Sequence, residues 1–141
     1  MAGRAGRGAD AGNRTALVVE GVPDWRDPTR AMLERQGFRV LMCGDGPSAL
    51  EQSRSFHGPV DLLLTDVVMP SMQGTDLADA IRIERPGIAV IYKTAYARHT
   101  LAELGIGPVM LLEKPVEESA LLDALARVLP DAPDRSSRHA S

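Results

Sequence analysis

Cysteine, aromatic residues and long apolar runs are all scarce in this sequence of 141 residues. The single cysteine, Cys43, excludes an internal disulfide and lacks the partners of a metal site or a redox pair. No apolar run approaches the length that crosses a bilayer, and the N-terminus carries Gly, Ala and Arg where a signal peptide needs an apolar stretch. These absences predict a soluble, cytoplasmic protein without a membrane partner.

An excess of positive charge is also missing. The formal net charge is -3, which gives no electrostatic basis for binding nucleic acid or an anionic membrane surface. The composition is otherwise that of an ordinary globular protein, with 44% hydrophobic and 25% charged residues. The length then predicts one compact domain with a buried core.

The two ends differ in composition from the middle of the chain. Residues 1–14 are rich in Gly, Ala and Arg and predict a flexible basic leader, and residues 130–141 predict a disordered tail. The folded domain is expected over residues 15–129. Because no output domain is expected after residue 129, the sequence predicts a single-domain protein that acts through protein contacts or through phosphoryl relay to another protein.

Short aliphatic runs alternate with longer amphipathic segments through the middle of the chain. The runs lack strict alternation, which is typical of parallel strands buried on both faces. Five helices between and after them predict a three-layer α/β/α sandwich around a five-stranded parallel sheet. Strands are predicted over 15–19, 38–43, 60–65, 88–93 and 109–112. Helices are predicted over 24–36, 47–55, 75–84, 97–104 and 117–129, with Asp24 capping the first.

Polar residues with complementary chemistry follow the predicted strands. Glu20 follows the first strand, Asp66 the third, Thr94 the fourth and Lys114 the fifth. Working sites of open α/β sheets lie at the carboxyl ends of the strands, so these four side chains are expected to converge. Two acids can hold Mg²⁺, while a lysine and a hydroxyl can bind anionic oxygens. The set predicts a phosphoryl-transfer site with Asp66 as nucleophile.

Each of these residues has an ordinary alternative when taken alone. Asp and Thr at strand ends often cap turns, and a lysine before proline is often a solvated loop residue. The joint pattern favours the functional interpretation. The Pro and Gly between Asp66 and the third helix also predict a rigid, exposed corner for that carboxylate.

At this point the sequence resembles the receiver domains of two-component response regulators, over about residues 15–129. The resemblance lies in four motifs that occur in order. They are LVVE at residues 17–20, LLTDVVMP at 63–70, VIYKTAYA at 90–97 and LEKP at 112–115. The family implies a flavodoxin-like strand order, 2-1-3-4-5, and a cis peptide bond before the proline of the fourth motif.

The resemblance also implies roles for individual residues. Asp66 would accept a phosphoryl group from a histidine kinase or histidine phosphotransferase, and Thr94 and Lys114 would hold its oxygens. Glu20, Asp66 and the backbone carbonyl of Val68 would bind Mg²⁺. The domain would then act as a phosphoacceptor signalling domain and not as an enzyme, with at most self-phosphorylation and self-dephosphorylation. It would signal to a downstream protein target.

The sequence departs from the family pattern at two positions. Gly21 stands where the family has a second acid that usually binds the metal directly, so Mg²⁺ affinity is expected to fall. Leu111 stands where the family commonly has an aromatic switch residue, so coupling to Thr94 would run through the backbone or through Tyr96.

Two functions remain open at this point. One is the phosphorylatable regulator, and the other is a pseudo-receiver, a phosphorylation-independent interaction module with a degenerate metal site. Gly21 supports the second, whereas the joint presence of Asp66, Thr94 and Lys114 favours the first. A flavodoxin-like nucleotide or flavin binder is least favoured, because no glycine-rich phosphate loop follows the first strand. Whether the chain forms a homodimer is left open.

Overall fold

The computed structural model describes residues 13–95 and 110–129. These residues contain five strands in one parallel sheet and four α-helices. The strands are β1 (Arg14–Val19), β2 (Phe38–Cys43), β3 (Leu62–Asp66), β4 (Ala89–Thr94) and β5 (Leu111–Glu113). The α-helices are α1 (Arg26–Arg35), α2 (Gly46–Ser55), α3 (Gly74–Glu84) and α4 (Glu118–Val128). The predicted helix at 97–104 lies outside the described residues.

The strand order is β2-β1-β3-β4-β5, and every pairing is parallel. This order and the three-layer architecture confirm the predicted fold. Within the described residues, none of the helices has the length and apolar composition needed to cross a bilayer.

Alternate residues of the strands face opposite sides of the sheet, as the two-residue period of a strand requires. Even-numbered residues of β1 and β3 lie in one core with α1 and α4, while their odd-numbered neighbours lie in a second core with α2 and α3. The first core includes Ala16, Val18, Leu62, Leu64, Ile91, Leu33, Leu121 and Leu125. The second includes Leu17, Val19, Leu63, Val90, Tyr92, Ala49, Leu77 and Ile81. Apolar residues on both faces explain why these strands lack an alternating pattern.

β2 has the predicted limits, and the limits of the other four strands differ from the predicted ones by at most two residues. Two changes matter for the site, because β3 runs through Asp66 and β4 runs through Thr94. The ladder continues there because Asp66 is paired with Lys93, and Thr94 is paired with Glu113. Both predicted site residues are therefore held by the sheet itself.

The prediction that Asp24 caps the first helix was wrong. A short 3-10 helix, Pro23–Trp25, precedes α1, and the N-cap of α1 is Trp25, which makes no side-chain cap hydrogen bond. The fixed backbone angle of Pro23 starts the turn early, so Asp24 lies inside the 3-10 turn and not at the helix junction. Its side chain is exposed. By contrast, Asp45 does cap α2, where its Oδ1 accepts from the Ser48 amide at 2.8 Å.

Candidate functional site

Two acids lie together at the carboxyl edge of the sheet, on the face covered by α1 and α4. Glu20 continues the even-numbered series of β1, and Asp66 continues that of β3, which places both side chains on this face. Glu20 is 1% exposed and Asp66 is 5% exposed. The prediction of an exposed corner for Asp66 was therefore wrong, because β3 continues through this residue and keeps it in the sheet. Carboxylates this deeply buried need charged or hydrogen-bonding partners.

Lys114 provides one of these partners, as the sequence predicted. Its Nζ lies 2.8 Å from Glu20 Oε2 and 3.0 Å from Asp66 Oδ1. The peptide bond between Lys114 and Pro115 is cis, as the resemblance implied. The ammonium also lies 4.5 Å from the centre of the Trp25 ring, a favourable cation-π distance. Trp25 thus packs directly against the site.

A second lysine lies deeper in the site, and the sequence reasoning missed it. Lys93 is completely buried, and its Nζ lies 2.6 Å from Asp66 Oδ1 and 2.7 Å from Glu20 Oε1. The same nitrogen donates to the backbone carbonyl of Val19 at 2.9 Å. The ammonium is therefore enclosed by three oxygens from β1, the residue after it, and β3.

A signal for Lys93 was present in the sequence. The run VIYKT at residues 90–94 is a predicted interior strand, and a lysine inside such a strand is almost never buried without an acidic partner. The register supplies that partner, because Lys93 and Asp66 are direct neighbours across β4 and β3. The sequence reasoning treated Lys93 only as the last residue of a strand.

The two oxygens of Asp66 are in different environments. Oδ1 accepts from both lysines, whereas Oδ2 accepts from the Gly21 amide at 2.9 Å. Burial alone would raise the pKa of Asp66, but the Lys93 ammonium, the Gly21 amide and Lys114 together outweigh it and hold that pKa below its ordinary value. The carboxylate is therefore ionised at neutral pH.

The other predicted site residues are placed as follows. Thr94 is buried at the end of β4 and lines a cavity of about 300 Å³ together with Asp66, Lys93 and Lys114. Val68 lines the same cavity and is 53% exposed. Leu111 pairs with Tyr92 in the sheet and packs on the opposite core, so it does not line the cavity. Tyr96 lies outside the described residues.

Gly74 lies very close to the backbone of Asp66, the candidate phosphoacceptor. A Cβ built on Gly74, the first residue of α3, would lie 2.1 Å from the carbonyl oxygen of Asp66. The Gly74 amide donates to the Val67 carbonyl at 2.7 Å and closes the loop between β3 and α3. Only glycine permits this approach without moving the strand that carries Asp66.

The fold and the site define an α/β domain with a cluster of two acids and two lysines at the carboxyl edge of a parallel sheet. Comparison with known families agrees with this class, since residues 16–126 match the response regulator receiver domain. The chain belongs to this family, the receiver domains of two-component response regulators. Such domains are signalling domains, not classical enzymes.

Two curated relatives and two solved structures illustrate the similarity. The sensory transduction protein RegX3 of Mycolicibacterium smegmatis is 31% identical over 117 residues, which cover 82% of this chain and 50% of the relative. The probable transcriptional regulatory protein TcrX of Mycobacterium tuberculosis is 33% identical over 126 residues, covering 86% and 53% respectively. The chain thus spans about half the length of these curated relatives.

Among solved structures, a sensor protein from Polaromonas aligns with a TM-score of 0.73 at 29% identity, covering 84% of this chain and 98% of that one. The chemotaxis protein CheY4 of Vibrio cholerae aligns with a TM-score of 0.70 at 25% identity, covering 83% and 99%.

Mg²⁺ binding at the phosphorylation site is a feature of this family, so the donor set can be compared with that cation. The predicted donors are Glu20, Asp66 and the Val68 carbonyl. Both carboxylates already accept from lysine ammonium groups, and Gly21 adds no oxygen ligand from a side chain. Residues 13–95 and 110–129 contain no group of three or more His, Cys, Asp or Glu side chains suited to a metal ion. The described side chains therefore do not fit a divalent cation.

Proposed function

We propose that this chain is a phosphoacceptor signalling domain in which Asp66 accepts a phosphoryl group from the phosphohistidine of a histidine kinase or histidine phosphotransferase. The observation that carries the proposal is the ionised carboxylate of Asp66 in a cavity that also contains Lys114 and Thr94. Positioning and charge neutralisation are the main requirements of phosphoryl transfer.

The transfer involves one bond formed and one bond broken. An oxygen of Asp66 attacks phosphorus, and Oδ2 is the better candidate because its recorded partner is one amide, whereas Oδ1 has two ammonium partners. The bond between phosphorus and the donor nitrogen breaks, and its electron pair leaves with the imidazole, which is then protonated. Lys114 and the Thr94 hydroxyl would hold the phosphoryl oxygens.

The output is proposed to be a protein contact. An aspartyl phosphate carries a charge of about -1.5 to -2 in place of the -1 of the carboxylate, and it brings three acceptor oxygens. These favour whichever existing conformation binds them better. Thr94 would report this change. The surface around the predicted fourth helix, which includes Tyr96, falls outside the described residues, so switching there and homodimer formation stay predictions. We place this signalling in the cytoplasm.

The test is the mass of the full chain after incubation with phosphoramidate, a small phosphoryl donor. We expect one added phosphoryl group in the parent protein and none in Asp66→Asn. Asp123→Asn, the same change at an exposed position of α4, is the matched control and should be phosphorylated like the parent. Absence of the adduct in the parent under every cation condition would refute the proposal.

The second candidate is an interaction module that does not cycle phosphate. One observation favours it, because two ammonium groups already neutralise Asp66 and leave the acid with little unsatisfied charge. This candidate would be supported if the folded parent protein never gained phosphoryl mass and if Asp66→Asn bound the same protein partners as the parent.

A further inference from the structure

We infer that the Lys93 ammonium takes the place of the divalent cation that this family binds. The carboxylate pair should then not bind Mg²⁺, and Asp66 should be phosphorylated without it. The first part concerns the folded site alone, whereas the second rests on the proposed function.

The first argument is coordination. An ammonium has three hydrogens to donate, and Lys93 Nζ meets three oxygens, from Val19, Glu20 and Asp66, at 2.9, 2.7 and 2.6 Å. Two of these oxygens belong to the carboxylates predicted to ligate Mg²⁺. The nitrogen is fully buried, so its hydrogen bonds are made by the protein and not by solvent. The environment of Lys93 Nζ is thus an all-oxygen cage that already contains a cation.

The second argument is charge. Glu20 and Asp66 contribute two negative charges, and Lys93 and Lys114 contribute two positive charges, so the four groups sum to zero. A divalent cation would raise this sum to +2 in a buried site. It would also have to separate Lys93 from its acidic partners, which leaves a buried ammonium unpaired at a high energetic cost.

The third argument is that the residue at position 21 also makes the site more positive than the family pattern would. Gly21 stands where the family pattern has an acid, and Lys93 contributes a positive charge, so both make the site more positive. The missing side chain is not forced by crowding, because a Cβ on Gly21 would lie 3.5 Å from Asp66 Oδ2, an ordinary contact distance. The absence of an acid at position 21 and the presence of an ammonium at Lys93 are therefore both consistent with a site that does not need a divalent cation.

The consequence for phosphoryl transfer can be written without a metal. With phosphoramidate, an Asp66 oxygen forms a bond to phosphorus, the phosphorus–nitrogen bond breaks, and ammonia leaves with the electron pair after protonation. Lys93 and Lys114 hold Asp66 Oδ1 at 2.6 and 3.0 Å, which fixes the carboxylate and leaves Oδ2 to attack. No other co-reactant is required.

The first measurement is Mg²⁺ binding, followed by backbone amide NMR shifts of the full chain. At millimolar Mg²⁺ we expect no saturable shift at Gly21, Asp66 or Val68 in the parent. The matched variant carries Gly21→Asp together with Lys93→Met, which restores the acid and removes the competing ammonium. It should show saturable shifts at these amides. Saturable binding by the parent at the same residues would overturn the inference.

The second measurement is phosphorylation of the parent by phosphoramidate in excess EDTA or in Mg²⁺. We expect the same rate of mass gain in both. Loss of phosphorylation in EDTA would overturn the inference and leave the proposed function intact. Absence of phosphorylation in both conditions, together with absence of Mg²⁺ binding, would instead refute the proposed function while supporting the exclusion of the metal. The two failures are therefore distinguishable.

Discussion

Lys93→Met provides the sharpest test of how the site is held together. Methionine keeps most of the apolar stem of lysine but removes the ammonium, so packing changes little while two ion pairs of 2.6 and 2.7 Å are lost. The two carboxylates stay buried and keep Lys114 as their remaining lysine partner. Removing one partner of a buried ion pair typically costs about 3–5 kcal/mol, and we expect a loss of this size in the free energy of unfolding.

The assay is equilibrium unfolding in urea, followed by the fluorescence of Trp25, the only tryptophan in the chain. Arg54→Met is the matched control, because Arg54 pairs with Glu84 at 2.9 Å but its side chain is 60% exposed. Exposed pairs contribute little, so this control should change stability far less. If Lys93→Met and Arg54→Met lowered the free energy of unfolding by the same small amount, the argument that burial makes the Lys93 contacts strong would be wrong.

The pH dependence of the Lys93→Met effect has a definite sign. In the parent, the pKa of Asp66 lies below its ordinary value, so its contribution to stability is complete above an unfolded pKa of about 3.9 and is lost as pH falls through the lower, folded pKa. Without Lys93, burial is opposed only by the Gly21 amide and Lys114, so the pKa of Asp66 in the folded variant lies above that in the folded parent. The stability gap between parent and variant should therefore narrow as pH falls from neutrality toward 4.

Two further predictions concern residues around the site. Gly74→Ala should lower the free energy of unfolding by about 1–3 kcal/mol in the same urea assay, because the new Cβ would overlap the Asp66 carbonyl; Gly87→Ala, where a Cβ meets nothing within 4 Å, should be close to neutral, and equal effects would contradict this explanation. The Cys43 thiol is buried, and burial raises its pKa to about 11, so roughly one molecule in a thousand carries the thiolate at pH 8. Labelling of Cys43 by a thiol reagent should be slow in the native protein and fast in urea. Fast labelling of the native protein would contradict the burial of this thiol.

The fold was largely predictable because short segments of the sequence carry the hydrophobic patterns of individual strands and helices. Uniformly apolar strands predicted a sheet covered on both faces, and residues at strand ends predicted one functional edge. Glu20, Asp66 and Lys114 do meet at that edge, which confirms the placement of these three side chains. Their proposed roles stay predictions.

Lys93 shows where the reasoning from sequence stopped short. The alternation of a strand fixes which face a side chain occupies only after its register is known, and the predicted end of strand four stopped at Lys93 itself. In the observed register of β3 and β4, Asp66 and Lys93 are paired neighbours, and their side chains enter the same buried site. The prediction that Asp24 caps the first helix was wrong for a different reason, because the 3-10 turn that begins at Pro23 moves the N-cap to Trp25.

A cation that is part of the chain gives the site a different dependence on its surroundings from a cation that must bind. A dissociable ion links phosphorylation to the concentration of that ion, whereas Lys93 is present at full occupancy whenever the sheet is folded. Its charge is +1 instead of +2. An aspartyl phosphate carries a charge of about -1.5 to -2 in place of the -1 of the carboxylate, so phosphorylation would make a site of zero net charge negative by up to about one charge. Such a site has less charge to stabilise the phosphorylated state, and the phosphoryl oxygens must then rely more on Lys114 and Thr94. This makes the two lysines unequal: Lys93 is fully buried between both carboxylates, whereas the Lys114 side chain is 8% exposed and is the one that we expect to move toward the phosphoryl oxygens.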